Sequence, residues 1–373
     1  MNIHYVINSL DGGGAALPLA DIVAVLNAAG HPVRISGLRP KDRRACPGLD
    51  AAGIRYEILG PDGLGTLRVA ARLWSRLRAD RPDLLWTSLT RATVLGQLAG
   101  YALGVPVVSW LHNAFLTPRK TASLRRTRSL TLHWIADCEA TADFAEAELG
   151  IARGNMSVWP LFVADPGWPA ATAWNREGPF RIGSLGRLHR NKCYDVLIRA
   201  AVRIRELDPS LSDNLEFVIA GVGPEQRALE EMTRENGLTN VRFIGFTDDP
   251  QVFLAGLHGY VQPSHHEGLC IAAHEAMAAG LPVVATPVGE LPRSLGSRGE
   301  RGLLCGIGDA SGLADALVGL VRAPEAAAQM GRRARDYVLG AYSAAAFQER
   351  GDAALDRIGD ALAATGRRRP VPR

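Results

Sequence analysis

The chain has 373 residues, of which 47% are hydrophobic and 21% charged, and its net charge is +4. That length exceeds what one ordinary core sustains, so two domains are expected, and the composition excludes a disordered or fibrous chain. The charge is too mild to demand a polyanion, although it suits an anionic small molecule or a membrane surface. Five cysteines (Cys46, Cys138, Cys193, Cys270, Cys305) are scattered without C-x-x-C or metal-ligand spacing. Their odd number argues against a disulfide framework and for a reducing compartment. No apolar run approaches the roughly 18 residues of a spanning helix. The opening M-N-I-H-Y-V-I reads as a strand, not a leader. A cytoplasmic location is expected, with peripheral attachment at the inner face of a membrane left open.

In chain order, residues 3–7, 33–37, 56–59, 83–87, 105–110 and 134–138 read as buried strands. Ala/Leu-rich helical stretches such as 17–29 and 67–79 lie between several of them, the pattern of a parallel, doubly wound sheet. After the first strand comes L-D-G-G-G-A-A, in which Gly12, Gly13 and Gly14 are expected to face a helix N-terminus as a phosphate or acceptor loop. No G-x-G-x-x-G is present, which argues against dinucleotide binding. His112 ends a strand in S-W-L-H-N, and strand C-termini are where sites form in such sheets. His133 begins a strand and reads as structural. Five cations fall within residues 119–128, with Leu124, Leu130 and Leu132 interleaved. This segment is either a solvated helix or one resting on an anionic membrane. It lacks interleaved aromatics, so nucleic acid is not expected.

Pro and Gly cluster in residues 160–178 and the periodicity stops there, as in a linker. A second alternation follows, with strands at 180–185, 215–221, 241–246, 259–262, 282–286 and 302–305 and helices such as 195–206 and 225–236. Beyond residue 323 the chain is helical, and 366–373 reads as a frayed basic tail. Within this half, G-S-L-G-R-L-H-R-N-K follows a strand and precedes a helix starting near Tyr194. Gly186 permits close backbone approach, and Arg187 and Lys192 are cations suited to an anionic group. Arg190 reads as a surface residue.

The stretch from Ser264 to Thr286 is the most informative. Glu267 and Glu275 are eight residues apart, so on one helix they would diverge by roughly 80°. The better reading puts Glu267 and Gly268 in a loop, starts a helix near Ile271, and ends it at Gly280 before another strand. Strand, glycine loop and helix N-terminus together receive a phosphate, here on the N–H groups of Leu269, Cys270 and Ile271. His265 and His266 flank Glu267. Ile244 and Gly245 end a strand at the same edge.

This stretch resembles the donor-site signature of the retaining glycosyltransferases of family 4, E-x7-E in a GT-B fold. The match rests on Glu267, Gly268, Glu275, Ala276, Met277, Ala278, Gly280 and the run Pro282–Thr286. The resemblance implies an α/β fold with two Rossmann-like, doubly wound parallel-sheet domains facing a cleft. Residues 1–165 would bind the acceptor and 178–345 the nucleotide-sugar donor. The helix and tail of 346–373 would cross back to the first domain. It also implies a metal-independent, retaining hexosyltransferase of glycan or glycolipid biosynthesis. The acceptor would be a hydroxyl on a glycan, a glycolipid or a small molecule. No cofactor or metal is expected; the nucleotide-diphosphate sugar is a co-substrate.

By the same resemblance, Arg187 and Lys192 contact the diphosphate, Glu267 the donor sugar, Glu275 the ribose and Ile244–Gly245 the base. His112 would lie near the reacting sugar, so His112, Arg187, Lys192 and Glu267 are the catalytic candidates. Three positions depart from the family pattern: Ala16 where a polar residue is usual, His274 where Leu is common, and Arg293 where an acid is expected. A nucleotide-sugar epimerase on the same scaffold, or a nucleotide-sugar-binding protein without turnover, are the alternative readings.

Overall fold

In the computed structural model, which describes residues 1–296 and 298–366, the chain divides into two compact units. One comprises Met1–Phe162 and the chain from Ala345; the other is Val163–Ala344.

The first unit is built on strands β1 (Ile3–Ser9), β2 (Val33–Arg39), β3 (Tyr56–Ile58), β4 (Leu84–Ser88), β5 (Val107–Leu111), β6 (His133–Ala136) and β7 (Met156–Val158). All pair in parallel, in the order β3-β2-β1-β4-β5-β6-β7. β4 and β5 are buried along their whole length, as central strands covered on both faces must be. Helix Thr66–Asp80 buries Val69, Leu73 and Leu77, a stripe at helical spacing. β7 was not anticipated: three residues are too few to show a period.

Trp86, Trp110 and Trp159 are fully buried, and the rings of Trp110 and Trp159 stack 4.9 Å apart. The last helix, Ala344–Ala364, completes this core. Phe347 packs 5.3 Å from Trp159, and Arg357 Nη1 donates to the Met156 carbonyl at 2.9 Å. Gly351 is where the helix backbone meets the core. A Cβ there would stand 2.7 Å from both Trp159 Cζ2 and Val25 Cγ1.

The second unit carries β8 (Phe180–Leu185), β9 (Leu215–Ala220), β10 (Val241–Gly245), β11 (Gly259–Gln262), β12 (Val283–Ala285) and β13 (Gly302–Leu304). They are parallel, in the order β10-β9-β8-β11-β12-β13. In both sheets the strand order reverses beside the first strand, β1 or β8. Ligands of such sheets bind at the carboxyl ends beside that reversal.

Three expectations need adjusting. Residues 163–177 have no regular structure but are fastened to the second unit. Ala164 N–H donates to the Tyr342 carbonyl at 2.8 Å, Ala171 N–H to that of Ala279 at 2.7 Å, and Trp174 packs 5.3 Å from Phe180. The first helix starts at Leu19, not directly after the glycines, because a turn closing on the Gly13 carbonyl intervenes and Pro18 precedes the helix. Of the expected tail, residues 367–373 lie outside the described residues. No described helix is long and apolar enough to cross a membrane.

Candidate active site

Because β8 pairs directly with β11, the loops that leave their carboxyl ends are neighbours. This brings together Lys192 and Glu267, 75 residues apart in sequence: Lys192 Nζ donates to Glu267 Oε1 at 2.7 Å. The pair is largely buried, with side-chain exposures of 20% and 11%. A polar chain within the sheet orients the carboxylate. The Tyr260 hydroxyl meets Gln262 Oε1 at 2.8 Å, and Gln262 Nε2 donates to Ser264 Oγ at 2.8 Å and to Glu267 Oε1 at 3.2 Å. Burial works to lower the proton affinity of Lys192, but the Glu267 charge overrides it and holds the amine above the ordinary lysine range. Lys192 therefore stays a cation within the fold. Sequence reading missed Tyr260 and Gln262, because a tyrosine and a glutamine in a buried strand carry no signal of their own.

The loop then turns into helix Ile271–Ala278 through Cys270, whose φ of 64° is left-handed. Among the described residues the N–H groups of Leu269 and Cys270 have no protein acceptor. They are open donors at the helix start. Glu275 projects from the second turn, with Gln251 Nε2 at 3.5 Å. Burial pushes its carboxyl up to about 7. So one acid, Glu267, is held as part of an ion pair, and the other, Glu275, is poised between its charged and neutral forms.

Gly289 clasps this loop. Its φ is 56°, and a Cβ would lie 2.1 Å from the Gly268 carbonyl oxygen; the next N–H, of Glu290, donates to that carbonyl at 2.9 Å. Arg293, the departure from the family acid, lies 3.8 Å from Glu290. His274 is structural: fully buried, it bridges the Cys270 carbonyl at 3.0 Å and Ser294 Oγ at 2.8 Å, and burial lowers its pKa to about 4. His265 and His266 sit ring to ring beside the loop, Nδ1 to Nε2 at 2.9 Å.

Arg187 is exposed and makes no hydrogen bond or ion pair among the described residues. Gly186 lies against Lys192 and Tyr194: a Cβ would meet Lys192 Cε at 3.3 Å and the Tyr194 hydroxyl at 3.1 Å. Arg190 is on the surface and reaches Glu225 at 3.4 Å. At the end of β10, Gly245 has a φ of 75° and Ile244 is 44% exposed, so its side chain is not part of the core.

In the first unit, His112 follows β5. Its Nε2 is bonded to Ser88 Oγ, its ring stacks 5.9 Å from Trp110, and its Nδ1 is buried without a partner among the described residues. Burial lowers its pKa to about 3, so the imidazole is neutral at neutral pH. His133 is bonded to Ser157 Oγ at 2.8 Å and is structural, as expected. The glycine loop is pinned by its amides, Gly12 N–H to Asp42 Oδ1 at 3.0 Å and Gly13 N–H to Asp11 Oδ1 at 3.3 Å.

The basic segment forms helix Pro118–Thr127, and Leu124 is fully buried in a core cluster with Leu111 and Trp134. Its apolar side is used by the fold, and Arg125 reaches Glu148 at 3.4 Å. His4, Glu57 and Asp80 lie close enough to suggest a metal site. However, Arg34 pairs with Asp80 at 2.8 Å and Arg76 with Glu57, so the carboxylates already have cations.

Comparison with known proteins bears on the family and the fold. Residues 12–165 match glycosyltransferase family 4, and residues 179–323 match glycosyl transferases group 1. A glycogen synthase of Mycobacterium tuberculosis is 30% identical over 304 residues, covering 76% of this chain and 67% of the relative. A D-inositol 3-phosphate glycosyltransferase of Thermomonospora curvata is 27% identical over 345 residues, 79% of each chain. Among solved structures, Anabaena Alr3699/HepE in complex with UDP and glucose superposes with a TM-score of 0.81 at 21% identity, over 95% of this chain and 99% of that one. Sucrose-phosphate synthase from Thermosynechococcus elongatus gives 0.77 at 19% identity, over 97% and 100%. With both halves of its sequence matched and its two parallel-sheet units alike in fold to these enzymes, the chain belongs to the family 4 glycosyltransferases of GT-B fold.

Proposed function

We propose that the protein transfers a sugar from a nucleotide-diphosphate sugar to a hydroxyl of a glycan, glycolipid or small-molecule acceptor, with retention at the anomeric carbon and without a metal ion. The observation that carries this reading is the Lys192–Glu267 pair at the joint carboxyl end of β8 and β11. It adjoins two open N–H donors and the helix that bears Glu275. The diphosphate is held by Lys192, Arg187 and the amides of Leu269, Cys270 and Ile271, which meet the negative charge that grows as it leaves. Glu275 binds ribose hydroxyls, and Glu267 binds hydroxyls of the transferred sugar. Ile244 and Gly245 border the base. Glu267 is tied to Lys192 and is not a free nucleophile. The acceptor therefore attacks on the face the diphosphate leaves, and the departing phosphate takes the proton. Neutral His112, at the carboxyl end of β5, offers an acceptor hydroxyl a hydrogen bond without adding charge.

The residues suit charge stabilisation without metal. D-x-D is absent from the chain; in Asp248–Asp249, the second carboxylate caps helix Pro250–Ala255 by accepting from Val252 N–H at 3.0 Å. The UDP-bound neighbours support a nucleotide-sugar donor. A thermal-shift series with UDP-, GDP- and ADP-sugars, each with and without EDTA, tests the donor, since a ligand of the folded state raises its melting temperature. NMR of the product then reads the anomer. No shift with any donor, an inverted anomer, or a Mg²⁺-reversible loss of turnover in chelator would each overturn its part of the proposal.

A further inference from the structure

At the carboxyl edge of the first sheet, β2 ends in Arg39, and the helix Thr90–Leu103 after β4 carries Arg91 in its first turn. In the order β3-β2-β1-β4 these two flank β1, whose own end opens into the Gly12–Gly14 loop. Both side chains thus belong to one sheet edge; burial, and then the Arg39 charge, lower the proton affinity of Arg91. The Nε of each is buried without an acceptor among the described residues. Arg91 Nη2 donates to Thr66 Oγ1 at 3.1 Å, and Arg39 makes no hydrogen bond or ion pair among the described residues.

Arg34, Arg72 and Arg76 of this unit, by contrast, have acceptors. Arg34 pairs with Asp80 at 2.8 Å, Arg76 with Glu57, and Arg72 donates to the Leu59 carbonyl at 2.6 Å. The carboxylates at this edge are engaged by the loops. Asp42 accepts from the amides of Gly12 and Arg44, and Asp11 from Ser9 Oγ and the Gly13 amide. Two like charges at one sheet edge with buried Nε donors unmet are costly, and the cost falls when a dianion binds there.

We propose that Arg39 and Arg91 form a subsite for a phosphate monoester on the acceptor. A phosphate monoester carries close to two negative charges at neutral pH and three acceptor oxygens, which matches two guanidinium forks better than a single carboxylate does. Calling the ligand an acceptor rests on the glycosyl-transfer reading; the anion site itself does not.

The test is calorimetric titration of the full chain with glucose 6-phosphate, glucose, inorganic phosphate and, separately, UDP. Glucose 6-phosphate should bind more tightly than glucose, and inorganic phosphate should compete with it. Arg39→Gln and Arg91→Gln should each weaken glucose 6-phosphate binding about tenfold, and the double variant about a hundredfold, as lost charged hydrogen bonds. Arg39→Lys should restore part of the loss. UDP affinity and the circular-dichroism melting curve should not move. Equal binding of glucose and glucose 6-phosphate, or undiminished phosphate binding in the double variant, would overturn the subsite. A wild-type protein that binds phosphate but not UDP would overturn the donor reading and leave the anion site standing.

Discussion

The carboxyl edges of the two sheets solve the same electrostatic problem in opposite ways. At the β8–β11 edge the cation and the acid find each other, Lys192 with Glu267 at 2.7 Å, and a chain of buried polar groups fixes both. At the edge formed by β2, β1 and β4, Arg39 and Arg91 form no ion pair among the described residues, because Asp11 and Asp42 are engaged by loop amides, and His112 is neutral. The Lys192–Glu267 charges compensate each other before any ligand arrives. The second edge keeps two guanidinium Nε groups without an acceptor among the described residues. A preorganised pair suits a site that must stabilise the same leaving group at every turnover, whereas an uncompensated one suits selection by charge.

The sharpest way to break this comparison is Lys192→Ala. Turnover, as kcat/KM for the nucleotide sugar, should fall about 10²–10³-fold, the usual consequence of removing one donor to a growing negative charge. The melting temperature should also fall, because Glu267 is left buried without its cation. Lys192→Met with Glu267→Leu should recover the melting temperature and not the activity. Recovery of both would mean that the pair is structural only.

Gly289→Ala should follow in size. Its Cβ would overlap the Gly268 carbonyl at 2.1 Å in a left-handed conformation, at a cost of about 1–3 kcal/mol for overpacking alone. Calorimetric affinity for the nucleotide should drop with it; unchanged affinity would mean that the clasp does not shape the donor loop.

Glu275 sharpens the comparison through pH. Its carboxyl ionises near 4.5 in the unfolded chain and near 7 in the fold. Between those values the folded state holds the extra proton, so this residue's contribution to stability declines as pH rises through that window. Glu275→Gln should flatten the decline, by up to about 3 kcal/mol. It should also weaken nucleotide binding by about 1.5–3 kcal/mol. Stability curves that superpose across the window would show that burial does not perturb this carboxyl.

The smallest effect is expected at the basic helix. Replacing Arg119, Lys120 and Arg126 together by Gln should leave stability within about 0.5 kcal/mol per site, since all three are exposed. Co-sedimentation of the wild type with anionic vesicles at low salt, lost in the triple variant, would establish a peripheral surface. With Leu124 inside the core, any such contact is electrostatic and must vanish at high salt.

Much of the fold was legible because buried parallel strands are continuous apolar runs: residues 180–185 and 259–262 were read to the residue. The helix from Ile271 to its glycine stop was legible because the stop signal is local. Contacts that depend on strand order were not. Gln262 and Tyr260 became site residues only when β11 fell beside β8. Arg39 and Arg91 share a sheet edge only because β2 and β4 both pair with β1. The boundary near residue 162 was hidden for a similar reason. A Pro/Gly-rich segment reads as a linker, and nothing local in it says that Ala164, Ala171 and Trp174 fasten it to the second unit.

The helix Ala344–Ala364 bears on how this protein is made. Phe347 and Gly351 close the core around Trp159, a residue synthesised nearly two hundred positions earlier. On the ribosome the first unit therefore cannot finish packing when its seven strands emerge. The second unit, contiguous from Val163 to Ala344, can fold in the meantime. The protein is then completed in reverse: the half made first is the last to be sealed. A chain cut after residue 344 would lose the stability of the unit it appears to leave whole.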